Sequence, residues 1–216
     1  MIVKAEVVAD TGSELFIKVE KPFDNVGNVL VELDDGRQIT TAQRRKVYVL
    51  LNCISEHTGY TPMETIKEMM KLYYLGWTGR IANVFSLSDC SIETASDFIT
   101  FLIDFCLTNG VACNEPMQSL CDDVEKYIYS CLHNKKCAVC GGKADLHHFD
   151  AVGMGNDRKT MYQIGMRVLP LCREHHTEMH GMTNDEFMKR YHVCPVPLTE
   201  KVGKVYRLTK KNLGVN

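Results

Sequence analysis

Two short pairs of metal-binding residue types constrain this chain more than any other feature of its sequence. Cys137 and Cys140 are separated by two residues and followed by two glycines, and Cys172 and His175 repeat the same spacing further along. Two such pairs are typical of the two halves of a tetrahedral zinc site, where glycines let the backbone turn around the metal. We therefore predict that these four residues bind Zn²⁺, with His176 as the alternative to His175. Free thiols beside a surface histidine are the competing interpretation.

A zinc ion in this segment is expected to serve structure rather than catalysis. The stretch from Cys137 to His180 is too short to bury a sizeable core unaided, and four protein ligands would close the site. His147, His148 and His180 are then left without an assigned role. His176 and His180 are four residues apart and share one face if the stretch is helical. A single histidine is more often a core or surface residue, but a cluster favours a functional site.

The charge of the chain is unevenly distributed. Residues 1–133 carry 11 Lys and Arg against 19 Asp and Glu, a balance of −8, whereas residues 134–216 carry 14 against 8, a balance of +6. This division indicates two regions with different partners and makes the second the candidate for binding a polyanion, although a positive surface can also simply be solvated. We place a domain boundary between residues 133 and 134, where the charge balance changes and the cysteine motif begins.

The N-terminal region is predicted to be α+β, with strands first and helices after. Alternating apolar residues and turn-forming residues indicate the strands, and a change to helical spacing indicates the helices. The strands are expected at 2–9, 14–20 and 29–35, and the helices at 41–57, 61–74, 91–109 and 116–133. In the C-terminal region a capping box at 183–186 predicts another helix. A basic tail follows it, with Lys201, Lys204, Arg207, Lys210 and Lys211.

The remaining cysteines and the start of the chain bear on the compartment. No stretch is long and apolar enough for a membrane span, and the first residues are acidic where a signal peptide needs a basic segment. We therefore expect a cytoplasmic protein, in which scattered cysteines are buried thiols rather than disulfides. The cysteines expected in the core are Cys53, Cys90, Cys106, Cys121 and Cys131.

The cysteine pairs enclose an adjacent histidine pair at 147–148 and end in LCxxHHxxxH, a pattern that resembles the zinc-containing branch of the HNH (ββα-metal) endonucleases. The resemblance covers residues 137–180 and implies a zinc-stapled ββα-metal module within residues 134–216. It implies that His147 and His180 bind a catalytic divalent cation, Mg²⁺ or Mn²⁺, and that His148 is the general base that activates water. Hard cations prefer oxygen ligands, so we expect this cation to be held loosely.

Other basic and polar residues of the segment acquire expected roles from the same resemblance. Arg158, Lys159 and Arg173 are candidates for phosphate contacts, with a solvated basic face as the alternative. The family usually has an asparagine a few residues before the second zinc cysteine, where it braces the loop beneath the base. Arg167 occupies that position here, and Asn156 in the Gly-Asn-Asp loop is a candidate substitute. This departure bears on catalytic efficiency more than on the fold.

Residues 38–115 are similar to the Orf (NinB) family of phage recombination mediators, through a basic cluster opening a helix, a serine-rich turn and a helix ending before Gly-Val. The resemblance implies an Orf-like domain at 1–133, a homodimer that binds single-stranded DNA in the bacterial host cell. It also implies cooperation with the host single-strand-binding protein and a phage recombinase. Arg44, Arg45 and Lys46 would contact the DNA backbone. The alternative is that this basic run is merely exposed, which the −8 balance favours.

Together these patterns predict a phage-type DNA-processing protein, a metal-dependent HNH endonuclease acting on recombination or replication intermediates, with single-stranded or branched DNA as substrate. The alternative is a non-catalytic single-stranded-DNA-binding recombination mediator whose HNH module only grips DNA. Arg167 and the N-terminal resemblance favour that alternative. A zinc-stabilised adaptor without a DNA role is the third interpretation.

Overall fold

The computed structural model describes residues 5–11, 14–19, 36–59, 62–79, 84–149 and 161–214. Within these residues the chain is α+β, as predicted. The N-terminal elements are β1 (Ala5–Asp10), β2 (Leu15–Val19), α1 (Thr41–Thr58), α2 (Met63–Thr78), α3 (Ile92–Asn109), α4 (Met117–Leu120) and α5 (Val124–Asn134). The C-terminal elements are β3 (Asp145–His148), β4 (Arg167–Leu171), α6 (Arg173–His180), α7 (Asn184–Tyr191), β5 (Val196–Pro197), α8 (Glu200–Val205) and α9 (Lys210–Leu213).

The N-terminal elements form a strand hairpin and a group of packed helices. β1 and β2 pair in antiparallel fashion, and the third strand expected from the sequence, at 29–35, lies outside the described residues. α1 begins at a capping box in which the side chains of Thr40 and Gln43 each accept a hydrogen bond from the other residue's backbone N–H. α1 packs against α2 and α3. Its predicted apolar stripe is fully buried and comprises Val47, Leu50, Leu51 and Ile54.

The single helix predicted at 116–133 is wrong in its continuity, because the chain forms α4 and α5 with a break between them. Asp123 is the N-cap of α5, and its side chain accepts a hydrogen bond from the backbone N–H of Lys126 at 3.0 Å. Asp122 forms an ion pair with Lys46 of α1 at 2.5 Å. Aspartate is more stable capping a helix start than inside a helix, so the two adjacent aspartates interrupt the pattern.

The C-terminal sheet has the order β3-β4-β5 and is antiparallel throughout. In its register His147 lies opposite Leu169, and His148 lies opposite Val168. α6 begins directly after β4 and packs against it. The succession of two antiparallel strands and a helix is the ββα order that the HNH resemblance implies.

α5 connects the N-terminal helices to this sheet. It packs against α3 and also against β4, β5 and α8. Its buried side chains belong to one continuous hydrophobic cluster that includes residues of α1, α3 and β4, and they are Tyr127, Ile128, Cys131 and Leu132. The boundary predicted from charge falls at the C-terminal end of this shared helix. The division of the chain into domains at 1–133 and 134–216 stays a prediction.

The thiols outside the metal-ligand motifs are free, and the cysteines predicted in the core are buried except Cys121, which is half-buried. Burial raises the pKa of Cys53 to about 12 and that of Cys121 to about 11. Such thiols stay protonated and unreactive near neutral pH, which agrees with a packing role. The buried members are Cys53, Cys90, Cys106 and Cys131. Among the helices of the described residues, none combines the length and apolar character that crossing a bilayer requires.

Candidate active site

The first cysteine pair lies in a tight turn between α5 and β3. Gly141 has a left-handed backbone with φ of 69°, and its N–H donates to the carbonyl of Cys137 at 2.9 Å. The N–H of Cys137 in turn donates to the carbonyl of Gly142 at 2.6 Å. Glycine adopts φ above zero without steric cost, so this residue lets the chain reverse around the sulfurs. The turn is held by Ala138, whose N–H donates to a carbonyl of β4 at 3.0 Å and whose carbonyl accepts from the Tyr127 hydroxyl at 2.8 Å.

The four predicted zinc ligands converge, with all their ligand atoms within 4.8 Å of one another. Sγ of Cys137 lies 3.7 Å from Nδ1 of His175, and Sγ of Cys140 lies 3.8 Å from Sγ of Cys172. A tetrahedral zinc with ordinary bond lengths would separate two sulfurs by about 3.8 Å and a sulfur and a nitrogen by about 3.6 Å. These two distances and the donor set therefore fit Zn²⁺. The shorter separation of 3.0 Å between Cys172 Sγ and His175 Nδ1 is a direct hydrogen bond.

The two halves of this zinc cluster differ in their electrostatics. Burial raises the pKa of the Cys137 thiol to about 11. Burial also acts to raise the pKa of Cys172, but hydrogen bonds from the backbone and side chain of His175 and from the neighbouring thiols outweigh it and bring the pKa to about 7. Because the thiolate is the ligand, Cys172 is already poised to bind, whereas Cys137 needs the charge of the metal to lose its proton.

A second cluster is formed by three histidines, His147, His176 and His180, whose ring nitrogens lie within 4.8 Å of one another. The ring of His147 is 4.7 Å from that of His176 and 5.6 Å from that of His180, measured between centroids. The rings of His176 and His180 are 4.7 Å apart. His147 is buried at the base of the cluster, and His180 is exposed at its edge. Three convergent imidazoles can hold one divalent cation with positions left open.

His176 is the member of this cluster that the sequence analysis did not assign as a cation ligand. The four-residue spacing between His176 and His180 pointed to it, because that spacing places both rings on one face of α6. The sequence predicts His176 only as the alternative to His175 in the zinc site. The structure brings His175 to the zinc cluster and His176 to the histidine cluster.

α6 therefore presents residues to both clusters. Cys172 is its N-cap, and His175 and His176 follow in the first turn. Consecutive residues on an α-helix point about 100° apart, so neighbouring histidines face different partners. Two predicted zinc ligands, Cys172 and His175, stand at the start of the helix that carries His176 and His180 against His147 on β3. A zinc ion bound there would therefore be linked to the geometry of the histidine cluster through this helix.

His148, the predicted general base, follows His147 on β3 and contacts a different group. Its Nε2 lies 2.9 Å from Oε1 of Gln163, a residue that is 3% exposed. Successive strand residues point to opposite faces, so His147 reaches the histidine cluster while His148 reaches the loop before β4. Gln163 was not found by sequence reasoning, because no motif spacing connects it to the histidine pair. Arg167 places its guanidinium 5.6 Å from the centre of the Phe149 ring.

The N-terminal basic trio makes contacts within the protein. Arg44 donates to two backbone carbonyls of the turn before α3, at 2.8 and 2.9 Å. Arg45 pairs with Glu115 at 2.6 Å, and Lys46 pairs with Asp122 at 2.5 Å. A phosphate that approached these side chains would have to replace contacts they already make. Their assignment to DNA stays a prediction.

Of the remaining candidate site residues in the C-terminal region, the structure describes only Arg173. Arg158, Lys159 and Asn156 lie outside the described residues. Arg173 is exposed in the first turn of α6, one residue after Cys172, a predicted zinc ligand. A guanidinium at that place can reach a phosphate bound near the start of the helix.

Comparison with known proteins gives a family. A protein-family model described as "Putative HNHc nuclease" matches residues 19–209. The match spans most of the chain and includes both metal-binding clusters as well as the N-terminal helices. No curated protein and no solved structure matches the chain.

Proposed function

Because the chain belongs to the HNHc nuclease family, we propose that it is a metal-dependent endonuclease that hydrolyses DNA, with His148 as its general base. The observation that carries the proposal is the cluster of His147, His176 and His180, which lies beside His148 at the end of β3. We propose that a scissile phosphate at the end of β3 contacts both the cation site and the base, which are carried by adjacent residues of that strand. The cysteine-rich cluster includes Cys172 and His175 at the start of α6, and a zinc ion bound there would hold in place the helix that carries His176 and His180.

The histidine cluster is proposed as the catalytic cation site. A divalent cation held by His147, His176 and His180 would stabilise the charge that develops on the phosphate and on the departing 3′ oxygen. The donor set is three neutral nitrogens rather than carboxylate oxygens, which suits Mn²⁺ and similar transition ions better than Mg²⁺. With His147 and His180 alone, the sequence left both Mg²⁺ and Mn²⁺ as candidate cations. The addition of His176 favours Mn²⁺.

His148 is proposed to accept the proton of the attacking water. A histidine is largely neutral near physiological pH, so its ring can take this proton as the water attacks phosphorus. His148 is partly exposed at the end of β3, which leaves room for a phosphodiester above the strand. We further propose that Arg173, with Arg158 and Lys159, contacts the phosphates flanking the scissile bond.

The test is cleavage of circular single-stranded, supercoiled duplex and branched DNA with Mn²⁺, with Mg²⁺ and with EDTA. We expect cation-dependent nicking that falls by about 10²–10⁴ in His148→Ala, the usual contribution of a general base, while DNA binding persists. His57→Ala is the matched control, because His57 is exposed in the last turn of α1 and should not affect cleavage. If the wild type cleaves none of these substrates with either cation, the endonuclease proposal is wrong.

We also propose a finer role, in which the substrates are single-stranded or branched DNA intermediates of phage recombination or replication in the bacterial cytoplasm. The similarity of residues 38–115 to Orf mediators supports this role, as does the contrast between the −8 and +6 balances. A homodimer cooperating with the host single-strand-binding protein and a recombinase would follow. Sedimentation of the purified protein and cleavage rates on matched linear, single-stranded and branched substrates test it. A monomer with equal rates on all three substrates would contradict it.

A second candidate function is that of a recombination mediator that binds single-stranded DNA without cutting it. It is favoured by Arg167, which stands where the family usually has asparagine and stacks over Phe149. For such a protein, annealing and strand-loading assays would be unchanged by His148→Ala, and the wild type would bind DNA in a salt-sensitive way without cleavage.

A further inference from the structure

Gln163 is a buried polar residue in the loop that precedes β4, and its amide faces the ring of His148. Oε1 lies 2.9 Å from His148 Nε2, and the residue is 3% exposed. A buried amide is costly unless its polar atoms are paired, so such a residue is retained where its hydrogen bonds have a purpose. The pair joins His148 of β3 to the loop that precedes β4, at the edge of the candidate active site.

The backbone around Gln163 is held from two sides. Its own N–H donates to the carbonyl of Asn212 in α9 at 2.9 Å, and its carbonyl accepts from Met166 at 3.0 Å. Gly165 donates to the carbonyl of Leu198, near β5, at 2.9 Å. The loop is therefore fixed by the C-terminal elements rather than by β3, on which His148 lies.

Asn212 is the central residue of this support and is itself 2% exposed. Its Nδ2 donates to the carbonyl of Met161 at 2.7 Å, and its Oδ1 accepts from the backbone N–H and the hydroxyl of Thr209 at 3.1 and 2.6 Å. Both ends of the amide are thus used, one for the cap of α9 and the other for the loop. Thr209 and Asn212, at the start and within the short helix α9, therefore hold the segment that carries Gln163. We call these two residues the latch.

We propose that Gln163 is the positioning residue for the base His148, and that the latch formed by Thr209 and Asn212 keeps Gln163 in place. This inference rests on the proposed endonuclease function. An amide oxygen facing Nε2 restricts rotation of the imidazole and favours a hydrogen on that nitrogen, so the ring meets the attacking water in one orientation. Arg167, at the start of β4, stands where the family usually has its bracing asparagine, and Gln163 in the loop before β4 supplies a direct brace to His148.

The decisive comparison is between Gln163→Met and Gln163→Glu in the full-length, zinc-loaded protein. Methionine keeps the length of the side chain but cannot accept a strong hydrogen bond, whereas glutamate keeps an oxygen at the same place. We expect Gln163→Met to lower kcat between about tenfold and a hundredfold at unchanged KM, the range typical when a group that orients a site is lost. Gln163→Glu should recover most of the rate. Zinc content and melting temperature measured alongside show that each variant is folded.

Testing Gln163→Met in a variant that lacks His148 distinguishes a positioning effect on the base from other effects of the substitution. In His148→Ala, adding Gln163→Met should leave the residual rate unchanged, because a positioning residue has no effect once the group it positions is absent. An equal loss in both backgrounds would overturn the inference, as would a wild-type kcat for Gln163→Met in a protein that cleaves DNA. Failure of the wild type to cleave at all would instead overturn the endonuclease proposal beneath it.

The latch makes a separate prediction within the same experiment. Asn212→Ala should lower kcat in the same direction as Gln163→Met, and the two changes should be less than additive because they act through one loop. Lys211→Ala is the control, since it is an exposed neighbour on the same short helix. Lys211→Ala should leave kcat unchanged, and an equal kcat loss in both α9 variants would overturn the role of Asn212.

Discussion

The two metal-binding clusters both take ligands from α6 or its N-cap, and they differ in nearly every physical respect. The zinc cluster has four ligands, three of them thiols, and its member Cys137 is fully buried. The histidine cluster has three neutral ligands, and its member His180 is exposed. A closed set of four strong ligands contributes folding energy, whereas an open set of three leaves positions for water and phosphate. The comparison teaches that one short helix can carry ligands of a closed cluster and of an open one.

The largest effect is expected from removing a ligand of the closed cluster. Cys137→Ala should lose zinc, lower the melting temperature steeply and abolish cleavage, since structural zinc contributes about 10–16 kcal/mol in small zinc-finger peptides. Metal analysis and thermal unfolding measure this. Cys194→Ala is the control, because it removes a half-buried thiol that belongs to neither cluster. A Cys137→Ala protein with a full equivalent of zinc would show that the cluster assignment is wrong.

The next largest effect is a difference between substitutions of two adjacent histidines, His175 and His176. His176→Ala should lower kcat by about 10²–10³ at nearly wild-type melting temperature, by analogy with loss of one group that stabilises transition-state charge. His175→Ala should lower both the melting temperature and the rate, because it opens the zinc cluster. Rates and melting curves of the two variants, measured in parallel, check this contrast. Identical behaviour of the neighbours would show that α6 does not divide its ligands between two metals.

A smaller effect concerns the identity of the catalytic cation. Brief treatment with EDTA should stop cleavage before zinc leaves, because the open histidine cluster releases its ion faster than the closed one. Mn²⁺ should then restore a higher rate than Mg²⁺, since imidazole nitrogens suit the softer ion better. Zinc content before and after treatment is the control. Full recovery with Mg²⁺ alone would indicate that oxygen ligands dominate the site.

The smallest effect is expected from a phosphate contact beside the zinc cluster. Arg173→Ala should weaken DNA binding a few-fold and lower the slope of log affinity against log salt by about 1. Arg45→Ala should leave the slope unchanged, because its guanidinium is paired with Glu115. Binding measured over a series of salt concentrations distinguishes them. Equal changes in both slopes would extend the DNA-binding surface to the N-terminal helices.

The zinc cluster was predictable from the sequence and the histidine cluster only in part. The four zinc ligands occur as two local pairs, and each pair reveals itself by its own spacing. His147 and His180 came from the resemblance to HNH endonucleases, while His176 required knowing which way the first turn of α6 faces. The contact between Gln163 and His148 could not be predicted from the sequence. It depends on the path of the loop before β4, which is held by Asn212, a residue far along the chain.

The fold shows the same division between local and distant causes. The capping box at 183–186 and the buried stripe of α1 were read correctly, because each depends on residues within a few positions of one another. The break between α4 and α5 was missed, because the helical spacing continues through it. Asp122 leaves the helical pattern for an ion pair with Lys46, a residue of a different helix. The sequence pattern therefore gave a wrong prediction where the structure depends on hydrogen bonds and ion pairs between distant residues.

The shared packing of α5 has a consequence for how this nuclease can be rearranged. A cassette cut out at Cys137 would bring the metal ligands but leave behind Tyr127, whose hydroxyl holds the zinc turn. It would also strip the sheet of Ile128 and Leu132, which belong to the hydrophobic cluster that α5 shares with β4. A transplantable unit must therefore start at or before Val124. If the metal-binding segment were exchanged between proteins, α5 would have to be transferred with it, because α5 supports the metal site.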